Sequence, residues 1–373
     1  MNGRRTREYI EYLRKEKGVP YLDVRLCKEN TELFRSGYSE DTDVTGNECV
    51  YLYSATKPMT VVCAMRLIEE GKLSLDDYVE KYLPAYADTF LMKDGAAVPT
   101  QNKMTVRHLF AMSGGLTYNV ATQPITDAVA ATGGKADTVE VVNAFIKTPL
   151  LFEPGTFFAY SLCHDVLAAV VEKVSGKRFS EYMKEIIFDP LQMKNSYFHG
   201  PIEKIHKKYV SDDNGNLSPM EPYNYLILGD NYDSGGAGAI STVDDYMKFV
   251  IAMTNDGVGE NGYRLLKKES IELLCSTDHE AAYARNDFDC IHGREDYAYG
   301  LGVRVRKNTT AWGLPAGEFG WDGAAGTYMM SDPTNKISVV IGLHILKWQA
   351  MFKGEHMKLV QCLYEDMQEE GLW

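Results

Sequence analysis

Val50-Tyr51-Leu52-Tyr53-Ser54-Ala55-Thr56-Lys57-Pro58 is the stretch from which the rest of the chain can be organised. Val50 to Tyr53 is a strand-like apolar and aromatic run. From Pro58 to about Glu70 the apolar residues fall at helical spacing, and Gly71 closes the run. Ser54 and Lys57 therefore stand where a strand meets a helix, on one helical face and a single turn apart. A serine hydroxyl is a weak nucleophile until a nearby base takes its proton. A lysine can be that base when it is desolvated or sits in positive potential, and the first turn of a buried helix supplies both. A serine cap followed by a solvated lysine fits the tetrapeptide equally well, and SxxK occurs by chance about once in a chain of this composition.

Outward from this point the pattern is strands at both ends and helices in the middle. Arg5 to Lys17 reads as an amphipathic helix stopped by Gly18, and Tyr21–Cys27 with Thr31–Gly37 as a β-hairpin. Ser74-Leu75-Asp76-Asp77 resembles a helix cap before Tyr78 to Leu83. Asp165–Val174 and Asp244–Thr254 are helical in pattern. Tyr297–Arg306, Gly326–Ser331 and Ile337–Ile345 read as strands, and Gln349–Glu370 as a closing helix. The expectation is an α+β fold: one antiparallel sheet joins the two ends, with the terminal helices on a face. Residues 1–55 and 296–373 would form that lobe, residues 56–295 a mostly helical lobe, and the cleft between them would hold the site.

The 373 residues suit such a two-part fold, and 39 basic against 52 acidic side chains leave a net charge of −13. That balance disfavours nucleic-acid binding. No run is long and apolar enough for a membrane helix, and the basic N-terminus lacks the apolar core of a secretory signal. Seven scattered cysteines without a CxxC pair suggest reduced thiols and a cytoplasmic protein. There is no GxSxG, HExxH or phosphate-binding loop, and Gly235-Gly236-Ala237-Gly238 lacks the third glycine of a dinucleotide fingerprint. Asp278, His279, Asp287, Asp289, His292, Glu295 and Asp296 are potential metal ligands, but their spacing favours a solvated loop. No metal and no organic cofactor are expected.

Further motifs add company to Ser54 and Lys57. They are Tyr160-Ser161-Leu162 leading to Asp165, Met104–Leu116, Asp189–Met193, Ser234–Thr242, and Phe319-Gly320-Trp321-Asp322-Gly323-Ala324. With these the chain resembles, over nearly its whole length, the serine β-lactamase and penicillin-binding-protein superfamily. Within it, the class C β-lactamases and family VIII carboxylesterases are the most similar. The resemblance implies the β-lactamase/transpeptidase-like fold. It also implies Ser54 as acylated nucleophile, Lys57 and Tyr160 sharing general-base and general-acid work, and an oxyanion hole from the backbone N–H groups of Ser54 and Ala324. Gly323 would let its strand approach the substrate.

Two departures shape the expected substrate. Class C enzymes carry Tyr-x-Asn where this chain has Leu162, and Lys-Thr-Gly where it has Trp321-Asp322-Gly323. An acid facing an anionic substrate costs about 1 kcal/mol or more at partly screened distances. Leu162, Trp321, Asp322 and Gly323 therefore read as substrate-binding positions for a neutral, more apolar molecule, as in the family VIII esterases, which Tyr160-Ser161 with Asp165 also resembles. Asp165 itself reads first as an early-turn acid stabilising its helix. The expected activity is hydrolysis, through an acyl-enzyme, of a small-molecule carboxylic ester with a small or medium acyl group. A β-lactamase, a D-amino-acid peptidase or amidase, and an acyltransferase use the same Ser-Lys-Tyr machinery. The non-enzymatic alternative is a binding domain on this scaffold, against which the intact Ser54, Lys57 and Tyr160 speak. Oligomeric state is not encoded in any pattern found.

Overall fold

The computed structural model describes residues 1–40, 42–279, 285–286 and 295–373. The fold is α+β. Its centre is an eight-stranded antiparallel sheet in the order Tyr297–Tyr299, Arg304–Arg306, Phe319–Asp322, Tyr328–Asp332, Ile337–Gly342, Tyr21–Lys28, Thr31–Ser39, Thr42–Asp43. The chain ends meet where Tyr21–Lys28 pairs with Ile337–Gly342, with Val24 opposite Ile341 and Leu26 opposite Val339. Every residue of Ile337–Gly342 is buried. A strand covered on both faces needs a continuous apolar run rather than alternation.

Alternate residues divide the sheet between two cores, as the two-residue strand period requires. Leu22, Val24, Leu26, Val339 and Ile341 pack with the terminal helices Arg4–Lys15 and His356–Glu369. Tyr21, Cys27 and Val340 face a second core built on the helices Lys57–Glu69, Cys163–Ser175 and Val243–Thr254. The Asp366 carboxylate in the last helix accepts the backbone N–H groups of Arg5 and Thr6 at 3.0 and 2.9 Å. It thereby caps the first helix with negative charge at its positive end.

Three expectations need correction. No helix spans Tyr78 to Leu83: only a 3-10 turn, Val79–Lys81, forms. Asp77 accepts the Ser74 N–H at 2.9 Å, and Tyr78 is extended and bridged to Thr105, so the cap closes a loop instead of opening a helix. Pro84 bars continuation. Tyr297–Arg306 is two short strands, with Tyr297 opposite Arg306, because the chain reverses through Gly302 at φ +102°. The closing helix begins with a π-turn, Met351–Glu355, before His356–Glu369. Among the described residues, no helix is long and apolar enough to cross a membrane. Asp287, Asp289 and His292 lie outside the described residues. No group of three or more His, Cys, Asp or Glu side chains among the described residues is arranged to hold a metal.

Candidate active site

Val50–Tyr51 pairs with Ile240–Ser241, and the Leu52 N–H donates to the Ala239 carbonyl at 3.0 Å. This edge carries the chain into Tyr53, whose φ of +47° is left-handed, and then into the 3-10 turn Tyr53–Thr56 ahead of the Lys57–Glu69 helix. A tyrosine in that region costs about 1–3 kcal/mol and persists only where its surroundings hold it. The Tyr246 hydroxyl holds the turn by donating to the Ala55 carbonyl at 2.6 Å. The helix that follows is buried around most of its circumference, which fixes its first turn in place.

Ser54 is 8% exposed and Lys57 fully buried. The Lys57 Nζ lies 3.2 Å from Ser54 Oγ, 3.3 Å from the Tyr118 hydroxyl and 2.8 Å from the Gly236 carbonyl. Three donors thus meet three acceptors. Burial pushes the Tyr118 phenol up to about 12, although the Lys57 charge and a hydrogen bond with Ser54 pull it down. Tyr118 also stacks on Tyr160, ring centroids 5.3 Å apart and planes 11° apart. Tyr160 accepts a hydrogen bond from Trp321 Nε1 at 3.2 Å, and its ring centroid lies 4.8 Å from Lys57 Nζ.

Sequence reasoning assigned one tyrosine to this site, and the structure brings two. Tyr118 has its hydroxyl bonded to Lys57, and the rings of both tyrosines flank the same ammonium, their centroids 5.4 Å (Tyr118) and 4.8 Å (Tyr160) from Nζ. Its only signal was position, two residues beyond the Met104–Leu116 motif.

Asp165 is more than an early-turn acid. Its carboxylate is buried and accepts from Tyr232 and Ser234 hydroxyls, each at 2.6 Å, and from the Gly236 N–H at 3.3 Å. It therefore anchors the turn whose Gly236 carbonyl receives Lys57. Trp321 and Gly323 sit on the opposite wall. A Cβ on Gly323 would stand 2.0 Å from the Leu52 carbonyl oxygen, so only glycine lets this strand end lie against the Ser54 turn. Ala324 follows and lines the same cavity as Ser54.

That cavity holds about 300 Å³ and has Tyr118, Tyr160, Tyr225, Leu226, Trp321 and Phe352 among its walls. Leu162 is not among its described lining residues. It is buried at the start of the Cys163–Ser175 helix, beside a separate small cavity with Leu116 and Ile125. Asp322 lines this cavity and also the neighbouring one that contains Arg304. It shares a sheet face with Gly320, where a Cβ would meet the Arg304 guanidinium at 3.0 Å. Burial opposes the charge of Arg304, and Tyr328, Glu318, Tyr297 and Asp322 together more than offset it.

The β-lactamase family model matches residues 6–358. The chain belongs to the β-lactamase family. Membership places it in the serine hydrolase superfamily, whose β-lactamase-related members here include esterases and penicillin-binding-protein-like folds. A Mycobacterium tuberculosis protein described as uncharacterised is 28% identical over 300 residues, covering 75% of this chain and 73% of that one. Lovastatin esterase of Penicillium rubens is 28% identical over 264 residues, 64% of each chain. Among solved structures, EstCE1, described as a hydrolase with promiscuous acyltransferase activity, superimposes with a TM-score of 0.79 at 22% identity, over 97% of this chain and 98% of its own.

Proposed function

We propose that this protein is a serine hydrolase that transfers the acyl group of a neutral carboxylic ester to Ser54 and then to water. The observation that carries this reading is the contact of Lys57 Nζ with both Ser54 Oγ and the Tyr118 hydroxyl, at the wall of an aromatic cavity. In the form that reacts, the Lys57–Tyr118 pair holds one proton fewer than in the fully donating arrangement above, and it takes the Ser54 proton as Oγ attacks the carbonyl. The tetrahedral oxyanion is met by the N–H groups of Ser54 and Ala324. The alkoxide leaves with a proton from Tyr160, Tyr160 regains one from the Lys57–Tyr118 pair, which is thereby free again as base, and water repeats the sequence on the acyl-enzyme. The division into lobes at residues 55/56 and 295/296 belongs to the same proposal, with the acyl group seated between them.

Apolar walls and the lack of a lysine where class C enzymes have Lys-Thr-Gly support an ester over a β-lactam. Ser54→Ala and Lys57→Ala are each expected to abolish p-nitrophenyl ester hydrolysis without unfolding the protein. Full activity in either would end the proposal. A chromogenic cephalosporin turned over faster than simple esters would overturn the substrate class. An acyltransferase reading has support from EstCE1's described promiscuity. Adding an alcohol acceptor and finding more transester than acid product would favour it.

A further inference from the structure

Lys208 belongs to none of the machinery above, yet it is fully buried. It opens the strand Lys208–Ser211, which pairs in parallel with Ile345–Leu346. Its ammonium donates to the Tyr223 carbonyl and, at 3.4 Å, to the Tyr53 hydroxyl. It also lies 4.8 Å from the Tyr223 ring centroid and 5.8 Å from that of Tyr51. No carboxylate among the described residues pairs with it. Burial pushes its charge loss down to about pH 8. A buried cation without an anion is expensive, and a methionine would fill the same space without that cost. The lysine's distinguishing property at this position is its hydrogen-bond donors.

Those donors join two parts of the site. Tyr53 is the left-handed residue immediately before Ser54. Tyr223 begins the segment that delivers Tyr225 and Leu226 to the cavity wall. The segment is otherwise tied down through Asn224, whose side chain accepts the Leu226 N–H at 3.0 Å and donates to the Ala237 carbonyl at 2.8 Å. The paired strand contributes Leu346 to the same wall, and its Ile345 N–H donates to the Ala325 carbonyl, next to Ala324, at 2.9 Å.

We propose that Lys208 is a positioning residue for acyl transfer: it clamps the Tyr53 turn that aims Ser54 to the Tyr223–Leu226 wall that sizes the acyl cavity. The chemistry it serves rests on the hydrolase reading, whereas the clamp itself is a statement about placement. The test uses the full chain with Lys208→Met and Lys208→Arg, and Lys207→Met as an exposed neighbour. Substrates are p-nitrophenyl acetate, butyrate and hexanoate, and a fluorophosphonate reports on Ser54.

Lys208→Met is expected to keep Ser54 labelling but lose about 10-fold or more in kcat. Its hexanoate-to-acetate KM ratio should change at least about fivefold, since a loosened wall alters chain-length preference separately from the chemical step. Lys208→Arg, which keeps charged donors, should recover part of both, and Lys207→Met should match the unmodified protein. Unchanged kcat and unchanged chain-length ranking in Lys208→Met would refute the clamp. If the unmodified protein neither labels nor hydrolyses esters, the hydrolase reading fails. The clamp is then decided by a crystal structure of Lys208→Met, in which Tyr225 moved by about 1 Å or more supports it and an unmoved Tyr53 and Tyr225 refute it. Lys208→Gln, which retains donors without charge, takes its place should Lys208→Met not fold.

Discussion

At the residue scale, the proposed mechanism gives the two stacked phenols different proton transfers. Tyr118 is bonded to the amine that faces Ser54, so its loss should slow attack on every ester. Tyr160 accepts from Trp321 at the cavity wall, and in the proposed mechanism it protonates the departing alkoxide. A p-nitrophenolate leaves without help, whereas an alkoxide needs a proton. Tyr160→Phe is therefore expected to cost an ethyl ester about 100-fold or more in kcat/KM and a p-nitrophenyl ester of the same acid far less. Tyr118→Phe should depress both by similar factors. Equal penalties on the two esters in Tyr160→Phe would remove it from the leaving-group step. The tyrosine named by its motif, Tyr160, was open to sequence reading. Tyr118 was not, because its place just past Met104–Leu116 is all that sets it apart among 24 tyrosines, and packing alone brings it to Lys57.

At the element scale, the site depends on two pieces of backbone that nearly touch: the turn at Leu52–Ser54 and the end of the Phe319–Asp322 strand. Gly323→Ala would push its Cβ into the Leu52 carbonyl, 2.0 Å away, and the strand end must retreat. Misplacement by about 1 Å of a reacting group can cost about 100-fold in rate. Gly323→Ala should therefore lower kcat/KM by about that factor, with the circular dichroism of a folded protein and a lowered thermal midpoint. A variant retaining full activity would mean that the two pieces are not held in register by this contact. Elements follow from local pattern where that pattern is long: the Lys57–Glu69, Cys163–Ser175 and Val243–Thr254 helices and the Tyr21–Ser39 hairpin. The short ones failed. Ser74-Leu75-Asp76-Asp77 has the composition of a cap, but bridging to Thr105 outweighs a few residues of helix propensity.

At the scale of the whole molecule, burial holds His108, His164, His279 and His344, among the described residues, toward the neutral form. Burial, the largest influence on each, lowers His108 and His279 to about 4 and His164 and His344 to about 3, from an ordinary 6.5. The unfolded chain therefore takes up protons at these sites before the folded one does. Their contribution to stability is complete above about pH 6.5 and is lost as the pH falls toward 3–4, at about 1.4 kcal/mol per pH unit for each histidine once the unfolded form is protonated. Denaturant unfolding at pH 7.5 and pH 5 should show the lower stability at pH 5. Equal stabilities would show that these histidines titrate alike in both states.

The periodicities of strand and helix are local properties, since they follow from which side of an element must face away from water. Arrangement of strands at both ends and helices between them could accordingly be inferred before any coordinates, and the SxxK turn with its companion motifs pointed to the nucleophile. Partnership is not local. Lys57 is 3 residues from Ser54 but 179 from the Gly236 carbonyl that receives its third donor. The roles of Tyr118, Asp165 and Lys208, the turning of Asp322 toward Arg304 and the withdrawal of Leu162 from the cavity all depend on how distant segments pack. Close packing admits one set of neighbours for each buried polar group, and the linear order of residues does not specify which.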